Sequence, residues 1–181
     1  MIKNILARIL AIWSAIAFVG TMLIFLLPIW AAGIFGEPTS TVWMIRFSRM
    51  WMALYFPLSF IRVEITGKEH FKKGENYIVV CNHNSFMDVP LSSPGIPGAN
   101  KTIAKIEMSR IPLFGIIYKR GSVLINRKDE QSRKESYQKM KDVLDMGIHM
   151  CIYPEGTRNK TDQPMKPFHD GAFRLSFETG K

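Results

Sequence analysis

"YIVVCNHNSFMDVPL", Tyr77 to Leu91, is the stretch whose reading decides the fold. Tyr77 to Cys81 form a short continuous apolar run rich in β-branched side chains, the pattern of a strand buried on both faces. Strands of that kind belong to sheets covered by helices. The run then breaks into a polar cluster holding His83 and, five positions on, Asp88. On a regular helix residues five apart are about 140° out of register, so the pair cannot meet from a helix body. It can meet if His83 lies in a turn after the strand and Asp88 in the first turn of the next helix, with Asn82 or Ser85 capping. Asp88 would then accept the proton of one ring nitrogen and leave the other free as a base. The plainer alternative is that both are turn and capping residues.

The same strand, break and helix grammar recurs downstream. "KTIAK" (Lys101 to Lys105), "SVLIN" (Ser122 to Asn126) and "HMCIY" (His149 to Tyr153) read as further short strands, and "IPLFGIIYKRG" as a turn and a short helix. From Asp129 to Gly147 the stripe Tyr137, Met140, Val143 and Leu144 predicts a helix that Gly147 ends. "FIRVEITG" (Phe60 to Gly67) alternates apolar and polar residues and predicts a strand with one buried face. Together these predict an α/β fold, a mixed sheet with helices on both faces, whose sites form at the carboxyl ends of the strands.

The polar residues gather at those ends. His83 follows one strand, Arg127 another, and "PEGTRN" (Pro154 to Asn159) a third. A guanidinium presents a rigid fork to phosphate or carboxylate, although a lone Arg127 also reads as a solvated strand end. In the PEGTRN turn Glu155 and Arg158 suit either anion binding or a structural pair. Ser85 lacks the glycine-flanked elbow of a hydrolase nucleophile and is read as a cap. One His and one Asp do not make a zinc ligand set, so no metal is expected.

Hydrophobic residues make up 47% of the 181 and charged residues 22%, ordinary for one globular domain, but the apolar ones crowd the N-terminal quarter. No charge interrupts Ile9 to Gly36. At ~1.5 Å rise per residue its helical part could cross a hydrocarbon core of roughly 30 Å. Lys3 and Arg8 precede it, and Arg46, Arg49, Arg62 and Lys68 follow, so basic residues flank both sides. Gly33 to Pro38 reads as a turn, and the apolar Val42 to Ile61 as an interfacial segment, with Arg46 and Arg49 among headgroups and Trp43, Trp51 and Tyr55 at headgroup depth. The expectation is a membrane-associated helical hairpin over residues 1–59, dipping into one leaflet, ahead of an α/β domain over residues 60–181 on the cytoplasmic side.

The formal net charge of +9 calls for an anionic partner. No nucleic-acid motif is present, and a membrane-attached chain meets anionic lipid first. Cys81 and Cys151 sit singly in apolar runs without ligand spacing and are expected to be reduced thiols.

Three blocks carry a family resemblance. "NHNSFMD" (Asn82 to Asp88) resembles the NHxSxxD block of the glycerolipid acyltransferase family, "KIEMSRIPLFGIIYKRGSVLINR" (Lys105 to Arg127) its second block, and "YPEGTRN" (Tyr153 to Asn159) its third, commonly FPEGTRS. The resemblance runs from about Phe60 onward and is nearest to bacterial members acting on 1-acyl-glycerol 3-phosphate. It implies a glycerol-phosphate-acyltransferase-like fold. It also implies transfer of an acyl group from acyl-CoA or acyl carrier protein, as co-substrate and with no separate cofactor, to the sn-2 hydroxyl, giving phosphatidic acid. His83 would be the general base and Asp88 its orienter. Arg127, Glu155, Gly156, Thr157 and Arg158 would hold the acceptor, and Lys105 would add charge. The expected place is the bacterial inner membrane. Other acceptors, glycerol 3-phosphate or another lyso-lipid, stay open, as does a silent lipid-binding module. Tyr153 and Asn159 stand where Phe and Ser are common. The family's fourth block normally follows "FHDGAFRLSFETGK", so the C-terminal part of the fold is expected to be missing.

Overall fold

In the computed structural model, which describes residues 2–181, each consecutive pair of strands is linked through a helix. The order is α1 (Ile2–Ala31), α2 (Thr39–Leu58), β1 (Ile78–Val80), α3 (Asp88–Gly95), β2 (Asn100–Lys105), α4 (Phe114–Gly121), β3 (Ser122–Ile125), α5 (Glu130–Asp145), β4 (His149–Ile152) and α6 (Gly171–Thr179). A helical crossover returns the chain to the same end of the sheet before the next strand starts. The four strands are accordingly parallel throughout, in the order β1-β4-β2-β3, where a mixed sheet was expected.

The central strand β4 is buried along its whole length. Because side chains alternate across a strand, Met150 and Ile152 point to one face and Cys151 and Tyr153 to the other. The first pair packs with Met140, Val143 and Leu144 of α5 and Ala172 and Leu175 of α6. Cys151 and Tyr153 pack with Val89 of α3 and with Ile96. Helices therefore cover both faces, as the apolar runs require. Asp129 caps α5 by accepting from the Gln131 backbone N–H (3.1 Å), and Gly147, at φ +75°, follows its end.

Phe60 to Gly67 does not form the expected strand. Alternation makes a strand only where a neighbour takes its backbone hydrogen bonds, and no described strand pairs with this segment; Ile61 and Ile65 remain exposed.

The helix from Lys3 to Ile34 is long and apolar enough to cross a membrane, with a mean hydropathy of 2.4. Ile12, Ile16, Ile24 and Leu27 stay exposed along it, the apolar outer surface of a membrane-associated chain. Its other side packs on α2. Trp51 and Tyr55, expected at headgroup depth, are instead buried there: Phe18 lies 5.0 Å from the Trp51 ring and 5.1 Å from that of Tyr55, and Trp51 Nε1 donates to Thr21 Oγ1 (2.9 Å). A tryptophan can be buried once its N–H has a partner. Arg49, expected among headgroups, turns inward and donates to the carbonyls of Pro94 (3.0 Å), Ile96 (2.7 Å) and Gly98 (2.9 Å). Those carbonyls lie in the last turn of α3 and in the proline- and glycine-containing loop after it, where few backbone partners are at hand, so the guanidinium satisfies them. Arg46 stays outside, over the Trp43 ring at 4.8 Å. Lys101 of β2 pairs with Glu37 between the helices at 2.7 Å, which ties the hairpin to the sheet.

Candidate active site

The turn after β1 brings His83 and Asp88 together. Asp88 is the first residue of α3, and its Oδ2 lies 2.8 Å from His83 Nδ1. A carboxylate only accepts, so Nδ1 carries the proton and Nε2 is left as the free nitrogen. The same Oδ2 accepts from the backbone N–H groups of Asn84 and Ser85, both at 2.7 Å. Ser85 Oγ in turn accepts from the Met87 N–H (3.1 Å), closing the turn ahead of α3, whose N-cap is Met87 rather than Ser85. Beneath the imidazole lies the Tyr153 ring at 4.6 Å, its hydroxyl bonded to Ser92 Oγ (2.6 Å). Burial pushes the Tyr153 hydroxyl well above its ordinary range, so it stays protonated. Ser92 supplies the partner a buried tyrosine needs.

The turn after β4 is locked to the same place. Glu155 is buried, and its two oxygens accept from the His83 N–H (2.7 Å) and the Lys166 N–H (3.1 Å). Glu155 was expected to hold an acceptor. Instead both its oxygens are committed to backbone, and it acts as a strut behind the His83 turn. Asn159 N–H donates to the His83 carbonyl from the other side. Gly156, at φ +73°, is required by the turn. A Cβ there would come within 3.0 Å of His169 and 3.4 Å of Arg127. The Arg127 guanidinium donates to the Gly156 carbonyl, and burial pulls its pKa down while Glu107 pushes it up.

In front of this wall opens a cavity of about 430 Å³ at the carboxyl ends of the strands. His83 lines it together with four cations, Lys105, Arg127, Arg158 and Lys160, and among the described residues no carboxylate does. Gly156 and Thr157 of the predicted set also stand on its wall, Glu155 does not, and Lys166 Nζ donates to Thr157 Oγ1 (2.7 Å). An apolar cavity of about 660 Å³ adjoins it between the α1–α2 hairpin and α3–α4. Phe86, Val89, Thr102, Met108 and Tyr118 line both.

Comparison with known proteins bears on this arrangement. The family pattern described as acyltransferase matches residues 62–180, more than half of the chain and all three motif turns. The chain belongs to the acyltransferase family. Among its relatives is the 1-acyl-sn-glycerol-3-phosphate acyltransferase of Helicobacter pylori, 33% identical over 128 residues, which are 70% of this chain and 53% of that protein. The human 1-acyl-sn-glycerol-3-phosphate acyltransferase alpha is 32% identical over 120 residues, 65% of this chain and 42% of the relative. The chain thus spans about half or less of the length of these curated relatives. Its fold resembles the crystal structure of the 1-acyl-sn-glycerophosphate acyltransferase PlsC from Thermotoga maritima, with a TM-score of 0.74 at 22% identity over 96% of this chain and 71% of that one.

Within this acyltransferase frame sequence reasoning missed Lys160, Phe86 and Tyr118. Lys160 follows the third motif directly and its charge was a usable signal. Phe86 sat unremarked inside the first motif. Tyr118 reaches the cavity only through the packing of α4, and nothing local marks it. The Cys81 and Cys151 thiols are free and 3.8 Å apart, Cys81 just after β1 and Cys151 on the adjoining β4.

Proposed function

We propose that this chain is the acyl-transfer part of a membrane enzyme that esterifies the sn-2 hydroxyl of 1-acyl-glycerol 3-phosphate with an acyl group carried as a thioester on CoA or acyl carrier protein, giving phosphatidic acid. The observation that carries the reading is one base facing four cations with no acid between them. Such a cavity suits an acceptor with a hydroxyl to deprotonate and a phosphate to neutralise.

His83 Nε2 takes the proton of the acceptor hydroxyl as its oxygen attacks the thioester carbonyl. Asp88, held by two backbone N–H groups, keeps Nδ1 protonated and stabilises the imidazolium. Collapse of the tetrahedral intermediate breaks the carbon–sulfur bond, and the proton on Nε2 goes to the departing thiolate. The acceptor's own oxygen is the nucleophile, so the route needs no acyl-enzyme. Arg127, Arg158 and Lys105 neutralise phosphate, while the adjoining apolar cavity accepts hydrocarbon. A site beside a membrane helix spares lipid chains exposure to water, at ~0.8 kcal/mol per CH₂. The H. pylori and human relatives bear names for this reaction, which supports the reading. The catalytic part would lie on the cytoplasmic side, where acyl-CoA and acyl carrier protein are found.

His83→Ala should lower acyl transfer to lysophosphatidate by ~100- to 10,000-fold, the usual worth of a general base. Vesicle binding and the melting temperature should not change. Equal rates for the variant and the parent would end the enzymatic reading.

A further inference from the structure

Phe86 is a large apolar side chain left 72% exposed in the middle of the His83–Asp88 turn. The protein's core does not explain it, because it packs in no buried cluster. It lines both the polar and the apolar cavity, at their boundary. Directly over it lies Arg158, with Cζ 3.4 Å from the ring centroid. That separation is the contact thickness of two planar groups, so the guanidinium lies flat on the ring. An edge-on approach would drive an N–H into it. Among the described residues no carboxylate pairs with Arg158. Stacking is the contact that orients it, and a stacked guanidinium keeps its N–H edges free.

We propose that Phe86 is a positioning residue for the acceptor phosphate: its ring is the platform that holds the Arg158 fork flat and aimed into the cationic cavity, while its outer edge borders the apolar cavity where hydrocarbon begins. The proposal deepens the function above and rests on Arg158 binding an acceptor phosphate. The two partners come from turns after adjacent strands, and pairing of β1 with β4 sets their contact. Arginine is long and rotamer-rich, so an unsupported Arg158 would lose order before each binding event. With the platform in place the fork is organised beforehand. Phosphate binding therefore depends on an aromatic face at position 86, and the chemical step at His83 does not.

The test compares the full chain with Phe86→Leu, Phe86→Trp, Arg158→Gln and the Phe86→Leu/Arg158→Gln double variant. Steady-state transfer to lysophosphatidate is measured alongside calorimetric binding of glycerol 3-phosphate. Phe86→Leu should raise KM for lysophosphatidate and Kd for glycerol 3-phosphate by more than about twofold and up to about 30-fold, the span of exposed to desolvated cation–π contacts. Its kcat should stay within about twofold. Phe86→Trp should restore both constants. In the Arg158→Gln background the Leu substitution should add less than about a twofold further loss. Unchanged constants for Phe86→Leu, losses that multiply in the double variant, or no glycerol 3-phosphate binding by the parent would each overturn the proposal. If the parent binds glycerol 3-phosphate in the expected Phe86-dependent way but transfers no acyl group, the platform stands and the assigned reaction falls.

Discussion

Glu155 shows how a residue's chemistry depends on who its neighbours are. A glutamate in a turn beside two arginines reads as ligand or ion-pair partner. The fold instead spends its two oxygens on the N–H groups of His83 and Lys166, leaving 2% of the residue exposed. Glu155→Gln keeps the shape but turns one acceptor into a donor facing a backbone N–H. The expected cost is about 1–3 kcal/mol of stability, seen as a lower melting temperature. Acyl transfer should fall with it, because the His83 turn loses its strut. A variant as stable and active as the parent would show that the buried carboxylate supports nothing. Asp88 works by the same logic: three donors converge on one oxygen, and this fixes both the turn and the imidazole tautomer.

The two helices on one face of the sheet, α5 and α6, are joined by charge. Glu178 of α6 lies 2.6 Å from Lys141 of α5 and 2.7 Å from Arg174 on its own helix. The hydrogen bond from Lys141, then that from Arg174, holds its carboxyl down to about 2, against an ordinary 4.5. A depressed folded-state pKa means that the contribution is fully present above about 4.5 and is lost as pH falls through about 2. Both Lys141 and Glu178 are more than a quarter exposed, at 29% and 28%, so water screens the pair. Thermal melts of Glu178→Gln should show a shallower loss of stability than the parent between pH 4.5 and pH 2, and the same slope above that range. Parallel curves throughout would remove α5–α6 pairing from the acid response. The strand expected at Phe60 to Gly67 failed at this same scale: its alternation was real, but it had no neighbour.

Across the whole molecule the α1–α2 hairpin walls the apolar cavity with one side and presents an apolar face outward with the other. Its inner residues Phe18, Trp51 and Tyr55 line the apolar cavity that opens beside His83, while Ile12 and Ile16 face outward. Changing Ile12 and Ile16 together to Asp should weaken binding to phospholipid vesicles at least tenfold, since an aspartate deep in the hydrocarbon costs about 2.5–3.5 kcal/mol. Circular dichroism should show the fold retained, because neither side chain is part of the buried core. Undiminished co-sedimentation with vesicles would assign attachment elsewhere.

By itself the sequence determined what depends on near neighbours. Short strand-like segments marked all four strands, the stripe from Tyr137 to Leu144 marked α5, and the spacing of His83 and Asp88 required a turn and a helix start. The unbroken apolar stretch marked α1, and three motif turns at strand ends placed the site on one edge. These signals are legible because pleat, helical turn and capping act within a few residues of chain. Only the tertiary structure decided where long side chains end. It turned Arg49 inward to three loop carbonyls, buried Trp51 and Tyr55 against α1, committed Glu155 to backbone and laid Arg158 on Phe86. Apart from the bond between Glu155 and Lys166, each of these contacts joins residues about 30 or more positions apart. Strand order and helix packing choose such partners, and local periodicity carries no record of either.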